Sequence, residues 1–281
     1  MKTSAMLRHT LLTCAALVFI FPVLVMISTS LKPLAEINEG SLFALPREPT
    51  LEPWLKAWGT ACLSGACRGI SGSFANSLAI VIPSVIGSLV VGGVTGFAMS
   101  LRLSRLADWL LKAVLIGLFI PIQVTLFPLI ILIRELGLFG TRTGIILVHV
   151  LWGMPFVCLL LRNHFLTVPR SLIHAARIDG AGFLDILRHV ILPQSLPICG
   201  VALALQFTFI WNEFLLGLTF AGPGNEPITV ALSVLTGAQY GVQEYNVNMA
   251  ATLLAALPTL AIYLLYGKIF LRGVTTGSTN D

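Results

Sequence analysis

Six long apolar segments constrain this chain more than any other feature of its sequence. They contain only three Asp, Glu, Lys, Arg or His residues, which are His149, Glu213 and Lys268. Each is close to the roughly 20 apolar residues that a helix needs to cross a bilayer. The segments cover about residues 10–31, 74–100, 113–133, 143–161, 195–220 and 249–271. We therefore predict an all-α membrane protein with six transmembrane helices in a single domain, residues 1–281.

Composition supports a lipid-embedded chain. Only 10% of the residues are charged, whereas a soluble domain carries about 25%. The ten-residue alternation of polar and apolar residues that marks barrel strands is missing from the sequence. Lys2 and Arg8 precede the first apolar run as in a signal peptide, but that run exceeds a typical signal core. We expect it to be a retained first helix.

The distribution of Lys and Arg predicts the orientation. If both termini are cytoplasmic, 11 of the 17 Lys and Arg residues lie inside, as the positive-inside rule requires. The outer loops are then residues 32–73 and 221–248. We attribute the net charge of +5 to this topology and expect no nucleic-acid partner.

The first outer loop contains a close cysteine pair, Cys62 and Cys67. Outside a membrane the compartment is oxidising, so the pair can form a disulfide. Two unpaired thiols are the alternative.

A polar stretch interrupts the apolar pattern between the fourth and fifth spans. It runs from His174 to Pro193 within a loop of residues 163–194. An apolar stripe precedes Gly180 and Gly182, and a second short helical pattern follows them. The pattern predicts a helix–Gly–helix element at the cytoplasmic surface of the membrane.

Two polar passages lie within the apolar segments. Gln123 is flanked by Pro121 and Pro128, which indicates either a distorted helix that exposes Gln123 to a pathway or ordinary interhelical hydrogen bonding. Glu213 lies about 27 Å along the fifth helix from Ser195. It is either a solvated carboxylate at the outer boundary or a pathway residue.

Motifs for catalysis and metal binding are missing from the sequence. It contains neither a phosphate-binding Gly-xxxx-Gly-Lys-Ser/Thr loop nor a His-Glu-xx-His motif, and its five histidines are scattered. We expect no catalytic residue, no metal site and no cofactor bound by this chain. Since only His149 and Glu213 offer proton-coupling groups within the first five spans, an external energy source is favoured over a secondary carrier.

The polar stretch resembles the EAA loop of ABC importer permeases, which reads Glu-Ala-Ala, three residues, Gly, nine residues, Ile, any residue, Leu-Pro. The Gly-to-Pro spacing is intact, and His174 stands where Glu is usual. The matching residues are Ala175, Ala176, Asp179, Gly180, Leu192 and Pro193.

Other motifs resemble the sugar-importer permeases of the maltose G-type branch. They are Phe74-Ala-Asn-Ser77, Pro155-Phe156, Ile178-Asp179-Gly180-Ala181, Trp211-Asn212-Glu213-Phe214 and the stretch 270–277. The Cys62/Cys67 pair and the stretch 245–251 look most like permeases for glucose or mannose.

The resemblance implies the type I ABC importer permease fold and a heteromeric importer in the bacterial inner membrane. A second homologous permease would complete the pore, two cytoplasmic ATPase subunits would bind ATP and Mg, and a periplasmic protein would deliver a monosaccharide. The alternatives are an oligosaccharide, an α-glucoside or a glycerol-phosphate as substrate, and more remotely a self-sufficient secondary carrier.

The resemblance also assigns the candidate residues. ATPase coupling falls on His174, Ala175, Ala176, Asp179, Gly180, Gly182 and Pro193. Because sugar sites combine aromatic faces with polar edges, the substrate pathway falls on Gln123, Trp152, Trp211, Asn212, Glu213 and Tyr240.

Overall fold

The computed structural model describes residues 2–41, 43–63, 66–101, 105–237 and 243–276. Tyr240 lies outside these ranges. The helices are α1 (Lys2–Ser30), α2 (Leu34–Glu39), α3 (Glu52–Gly59), α4 (Ser71–Ser100), α5 (Arg105–Phe119), α6 (Ile122–Glu135), α7 (Arg142–Phe165), α8 (Arg170–Ile178), α9 (Phe183–Ile186), α10 (Leu192–Asn212), α11 (Leu215–Phe220), α12 (Ile228–Gly237) and α13 (Tyr245–Thr276). Strands β1 (Cys62–Leu63) and β2 (Ala66–Cys67) form an antiparallel hairpin.

Five helical runs in the described residues are long and apolar enough to span a membrane. A sixth span results if α5 and α6 are taken as one bent pair. The five runs are Met6–Ser30, Ser71–Ser100, Arg142–Phe165, Phe183–Asn212 and Tyr245–Gly267.

The third expected span, 113–133, is not one helix. The axes of Trp109–Phe119 and Ile122–Glu135 differ by 111°. Pro121 lies at the break in an extended conformation. Proline has no N–H to donate and disfavours a helical conformation in the residue before it, so a bend at Ile120 has a local cause. Gln123 therefore lies in the first turn after the bend.

The fifth expected span, 195–220, differs at both ends. Helix begins at Phe183 and continues to Asn212, through a π-helical segment, Leu187–Ile191. The wider π turn accommodates Pro193, which cannot donate a backbone hydrogen bond. At the other end Glu213 is extended and α11 starts afresh.

The structure divides into two compact units. One comprises the chain up to Ala75 together with Val230–Leu257. In it the Lys56 Nζ and the Glu244 carboxylate form an ion pair at 2.7 Å, and Asn246 donates to the Lys32 carbonyl at 2.9 Å. Cys62 and Cys67 face each other in the hairpin and are joined in a disulfide.

The second unit comprises Asn76–Thr229 and Pro258 onward. Close packing of α4 on α7 uses glycine, since a Cβ at Gly96 would lie only 2.8 Å from the Cys158 carbonyl oxygen. Gly92 makes an equally close approach to Val157. Small residues on α4 thus permit the close approach of the two helices.

Asn76 and Ser77 lie inside α4, which begins at Ser71. The Asn76 side chain donates to the Gly224 carbonyl at 2.9 Å and accepts from Arg142 at 2.8 Å. The buried Ser77 hydroxyl accepts a hydrogen bond from the Ile228 N–H at 2.8 Å. Both side chains therefore attach α4 to distant parts of the second unit.

Candidate functional site

Residues 166–191, which we call the foot, form the helix–Gly–helix element that the sequence predicts. Helix α8 ends at Ile178, and Gly180 has a left-handed φ of +83°. The Gly180 N–H donates to the Arg177 carbonyl at 3.1 Å and the Ala181 N–H to the Ala176 carbonyl at 2.9 Å. This is the Schellman pattern, in which glycine is favoured because it has no Cβ. A Cβ at Gly180 would meet nothing within 4 Å, so only the conformation calls for glycine there.

Gly182 precedes the second helix of the foot. Its N–H donates to the Asp185 Oδ2 at 3.2 Å, which closes the first turn of α9. From Phe183 the helix is continuous with the membrane span up to Asn212. The second half of the foot and this span therefore form one helical run.

One side of the foot is anchored in the apolar core of the second unit. Ile173, Ile186 and Ile191 are buried in a cluster with Phe97 and other residues of α4, α7 and α10. The rings of Phe97 and Phe183 have centroids 4.8 Å apart. These contacts attach the foot to the spanning helices.

The opposite side of the foot is exposed. Most of the expected coupling residues lie there: His174, Ala175, Asp179, Gly180 and Gly182 are exposed and Ala176 is half-buried. Ile178 is 86% exposed and Leu184 is 66% exposed. Pro193 is also exposed but lies beyond the π segment.

The five described pathway candidates are not brought together. Trp152 lines a cavity, whereas Trp211 is buried and stacks on Phe207 at 5.7 Å. Gln123 is exposed just after the bend, and Asn212 donates to the Thr208 carbonyl of its own helix at 2.8 Å.

Glu213 has a structural role in the second unit. Its Oε2 accepts the Leu216 N–H at 2.8 Å and the Gly217 N–H at 3.2 Å. A carboxylate in this position satisfies the free donors of a helix start. This helix-start contact is a role that neither the boundary interpretation nor the pathway interpretation of Glu213 anticipated.

The cavity beside Trp152 has a volume of about 640 Å³. It lies between residues of α5, α7, α10 and α13, all in the second unit. Aromatic rings contribute much of its wall, and its polar side chains include Gln206 and Thr208. The aromatic lining residues are Trp152, Phe156, Phe209, Tyr263 and Tyr266.

Gln206 is the residue that the sequence interpretation missed. It is 3% exposed, and its Nε2 has no hydrogen-bond partner among the described residues. The Ser88 Oγ is likewise buried without a partner. The signal was a carboxamide in an otherwise apolar span, and only the approach of α7 and α10 shows that it borders a cavity.

His149 is buried in α7, and its Nδ1 has no partner among the described residues. Unpaired buried polar atoms are uncommon, so the buried part of the second unit that contains His149 has more unpaired polar atoms than is usual for a protein interior.

Comparison with known proteins identifies the family. Residues 88–272 match the family described as "Binding-protein-dependent transport system inner membrane component". The chain belongs to this family. It is therefore a multi-pass membrane protein and a transport component rather than a catalytic one.

Individual relatives and a solved structure agree with this assignment. The chain is 29% identical over 274 residues to the xylose/arabinose import permease of Haloferax volcanii, covering 90% of this chain and 87% of the relative. It is 31% identical over 280 residues to the glucose import system permease of Saccharolobus solfataricus, covering 96% and 93%. A chain of a bacterial ABC transporter that imports the polysaccharide alginate has the same fold, with a TM-score of 0.81, 21% identity and coverage of 95% and 96%. The expected ABC importer permease fold is confirmed.

Proposed function

We propose that this permease imports a monosaccharide such as glucose or mannose, forms half of the pore and transmits ATP-driven movement through the foot. The observation that carries the proposal is the foot itself. One side of the foot presents an exposed helix–Gly–helix surface, and the C-terminal end of the foot continues into a membrane span. An ATPase that binds the foot can shift the pore between conformations only if the foot is connected to the spanning helices. This helix is such a connection.

The remaining assembly follows from the same proposal. A second, homologous permease completes the pore, and two cytoplasmic ATPase subunits bind ATP and Mg beneath it. A periplasmic binding protein delivers the sugar. The foot and both termini then face the cytoplasm, and the loop holding Cys62 and Cys67 faces outward.

A monosaccharide is favoured by relatives over most of the chain length. The glucose permease and the xylose/arabinose permease carry monosaccharide names. An α-glucoside permease of Rhizobium meliloti is also a relative, at 30% identity over 76% of this chain, and supports the α-glucoside alternative.

The test is uptake by the complete transporter in proteoliposomes. The permease pair, the ATPase and the sugar-binding protein are reconstituted, and labelled glucose, mannose and maltose are offered separately. We expect ATP-dependent uptake of glucose or mannose in preference to maltose. Preferential maltose uptake would support the oligosaccharide alternative, and flux through the purified chain alone without ATP would support a secondary carrier.

Among the pathway candidates, we propose that Trp152 borders the route of the sugar. It lies beside the Gln206 carboxamide in a wall rich in aromatic rings, and sugars stack on aromatic faces while amides bind their hydroxyls. Replacement Trp152→Ala should raise the KM for uptake more than Trp152→Phe. Trp109→Ala is the control, because Trp109 is exposed on α5 and does not line the cavity. Equal KM values for all three variants would remove Trp152 from the route.

A further inference from the structure

Three basic side chains follow one face of α8. Arg170, His174 and Arg177 are four and three residues apart, a spacing that stacks them along one side of a helix. All three are exposed. They line a pocket of about 70 Å³, whose other walls are formed by the end of α4, the end of α7 and the segment that follows α7.

The three basic residues of this pocket lack an acidic partner among the described side chains. None of the three basic residues forms an ion pair within the described part of the chain. The carboxylates of the foot are elsewhere: Asp185 binds the Gly182 N–H, and Asp179 lies at the C-terminal end of α8 outside the pocket lining.

An exposed cluster of basic side chains favours the binding of an anionic group from outside the chain.

The size and surroundings of the pocket select the kind of anion. A volume of about 70 Å³ admits the end of one side chain and not a folded element. Arginine pairs well with carboxylates and phosphates. Ile178 lies four residues after His174 and is almost fully exposed, and Leu184 is exposed as well. A free phosphate would leave these apolar side chains in water, whereas a protein surface would cover them; the lipid composition of the nanodiscs below separates a protein surface from a lipid headgroup.

We infer that the pocket formed by Arg170, His174 and Arg177 receives an aspartate or glutamate side chain of the cytoplasmic ATPase subunit. The inference rests on the proposed function and specifies the chemistry of its docking surface. His174 then acts as a hydrogen-bond donor toward a carboxylate, and the flanking Ile178 and Leu184 provide apolar contact. The ATPase surface facing α8 is acidic at this point.

The inference has a direct consequence for position 174. A glutamate there would stand against the incoming carboxylate and between two arginines. The like-charge pair would oppose docking. In this chain, restoring the residue that resembles the common loop pattern should weaken docking.

The test measures binding of the ATPase subunit to the full permease pair in phosphatidylcholine nanodiscs. His174→Glu and His174→Gln are compared because the two side chains match in size and differ in charge. We expect His174→Glu to raise the Kd by about tenfold and His174→Gln by less than about threefold. The difference should shrink at high salt. Equal Kd values for the two variants would overturn the inference.

A second pair of variants separates the pocket from the overall charge of the foot. Arg177→Glu is compared with Arg188→Glu, because Arg188 is exposed on the foot outside the pocket. We expect only Arg177→Glu to weaken binding strongly, and equal losses would contradict a specific pocket. An effect that appears only in nanodiscs containing phosphatidylglycerol would overturn the ATPase as the anion source and identify a lipid headgroup. Failure of the unaltered permease pair to bind any ATPase would instead reject the proposed function.

Discussion

The carboxamide of Gln206 on α10 occupies the space beside α7 that a side chain at Gly153 would fill. A Cβ at Gly153 would overlap the Gln206 Nε2 and would lie 2.8 Å from the Ser88 Oγ. Three helices of the second unit therefore meet at one glycine, next to the cavity that Gly153 and Gln206 both line.

Replacement Gly153→Val should displace Gln206 and destabilise the helix contact. Overpacking a filled interior costs about 1–3 kcal/mol, so the midpoint of thermal unfolding in detergent should fall. The control is Gly117→Val on α5, where a Cβ would meet nothing within 4 Å. If both variants unfold at the same temperature, the close contact at Gly153 does not contribute to stability.

Glu213 provides a way to separate a structural role from a pathway role. Glu213→Ala removes the acceptor of the Leu216 and Gly217 N–H groups, and loss of such a helix-start acceptor costs about 0.5–2 kcal/mol. Glu213→Gln retains an acceptor oxygen and should transport sugar and unfold nearly as the unaltered protein does. Loss of uptake in a stably folded Glu213→Gln variant would instead show that the charge serves transport.

The hydroxyl of Ser77 should stabilise the contact between α4 and the backbone at Ile228. It accepts the buried Ile228 N–H, and Ser77→Ala would leave that donor unsatisfied at a cost of about 1–3 kcal/mol. Thermal unfolding measures the loss. Ser77→Thr keeps the hydroxyl and serves as the control, and a Ser77→Ala variant as stable as Ser77→Thr would contradict the role of this bond.

The disulfide of the outer hairpin should stabilise the protein modestly. Cys62 and Cys67 are five residues apart, and closing so short a loop is worth about 2 kcal/mol in the chain-entropy account. Replacement of both cysteines by serine should lower thermal stability slightly and leave uptake intact. Mass spectrometry of the unreduced protein should find the chain lighter by two hydrogens than after reduction. Free thiols in that sample would contradict the bridge.

The sequence predicts much of this fold because lipid imposes a simple rule on spans. In lipid, the backbone N–H and C=O groups of the long uncharged runs between Thr10 and Leu31 and between Phe74 and Ser100 have no water to bind. Runs of this length therefore form helices that pair their own backbone groups. The foot was also predictable, since Gly180 and Gly182 interrupt a helical pattern at a place where polar residues gather. The sequence does not predict that Pro193 lies within a continuous helix, because this depends on the π-helical turn that precedes Pro193.

The breaks and the cavity needed the structure. Hydropathy does not distinguish a straight span from the bent pair at Pro121, nor from the restart after Glu213, because both keep apolar composition. The pathway candidates were chosen by residue type, and only Trp152 among those described lines the cavity. The position of Gln206 at the cavity depends on its packing against Ser88 and Gly153, which lie on other helices more than 50 residues away in sequence. No local sequence pattern reveals such a contact.

The central claim is that the foot couples the pore to ATP hydrolysis. The most direct test compares two replacements at Gly180 in the complete reconstituted transporter. Asparagine tolerates the left-handed φ of +83° and valine does not, while space for either side chain exists there. The rate of ATP hydrolysis is recorded with and without the sugar-loaded binding protein. We expect strong stimulation for the unaltered protein and for Gly180→Asn, and loss of most of it for Gly180→Val in an assembled complex. Full stimulation in the Gly180→Val transporter would contradict the claim.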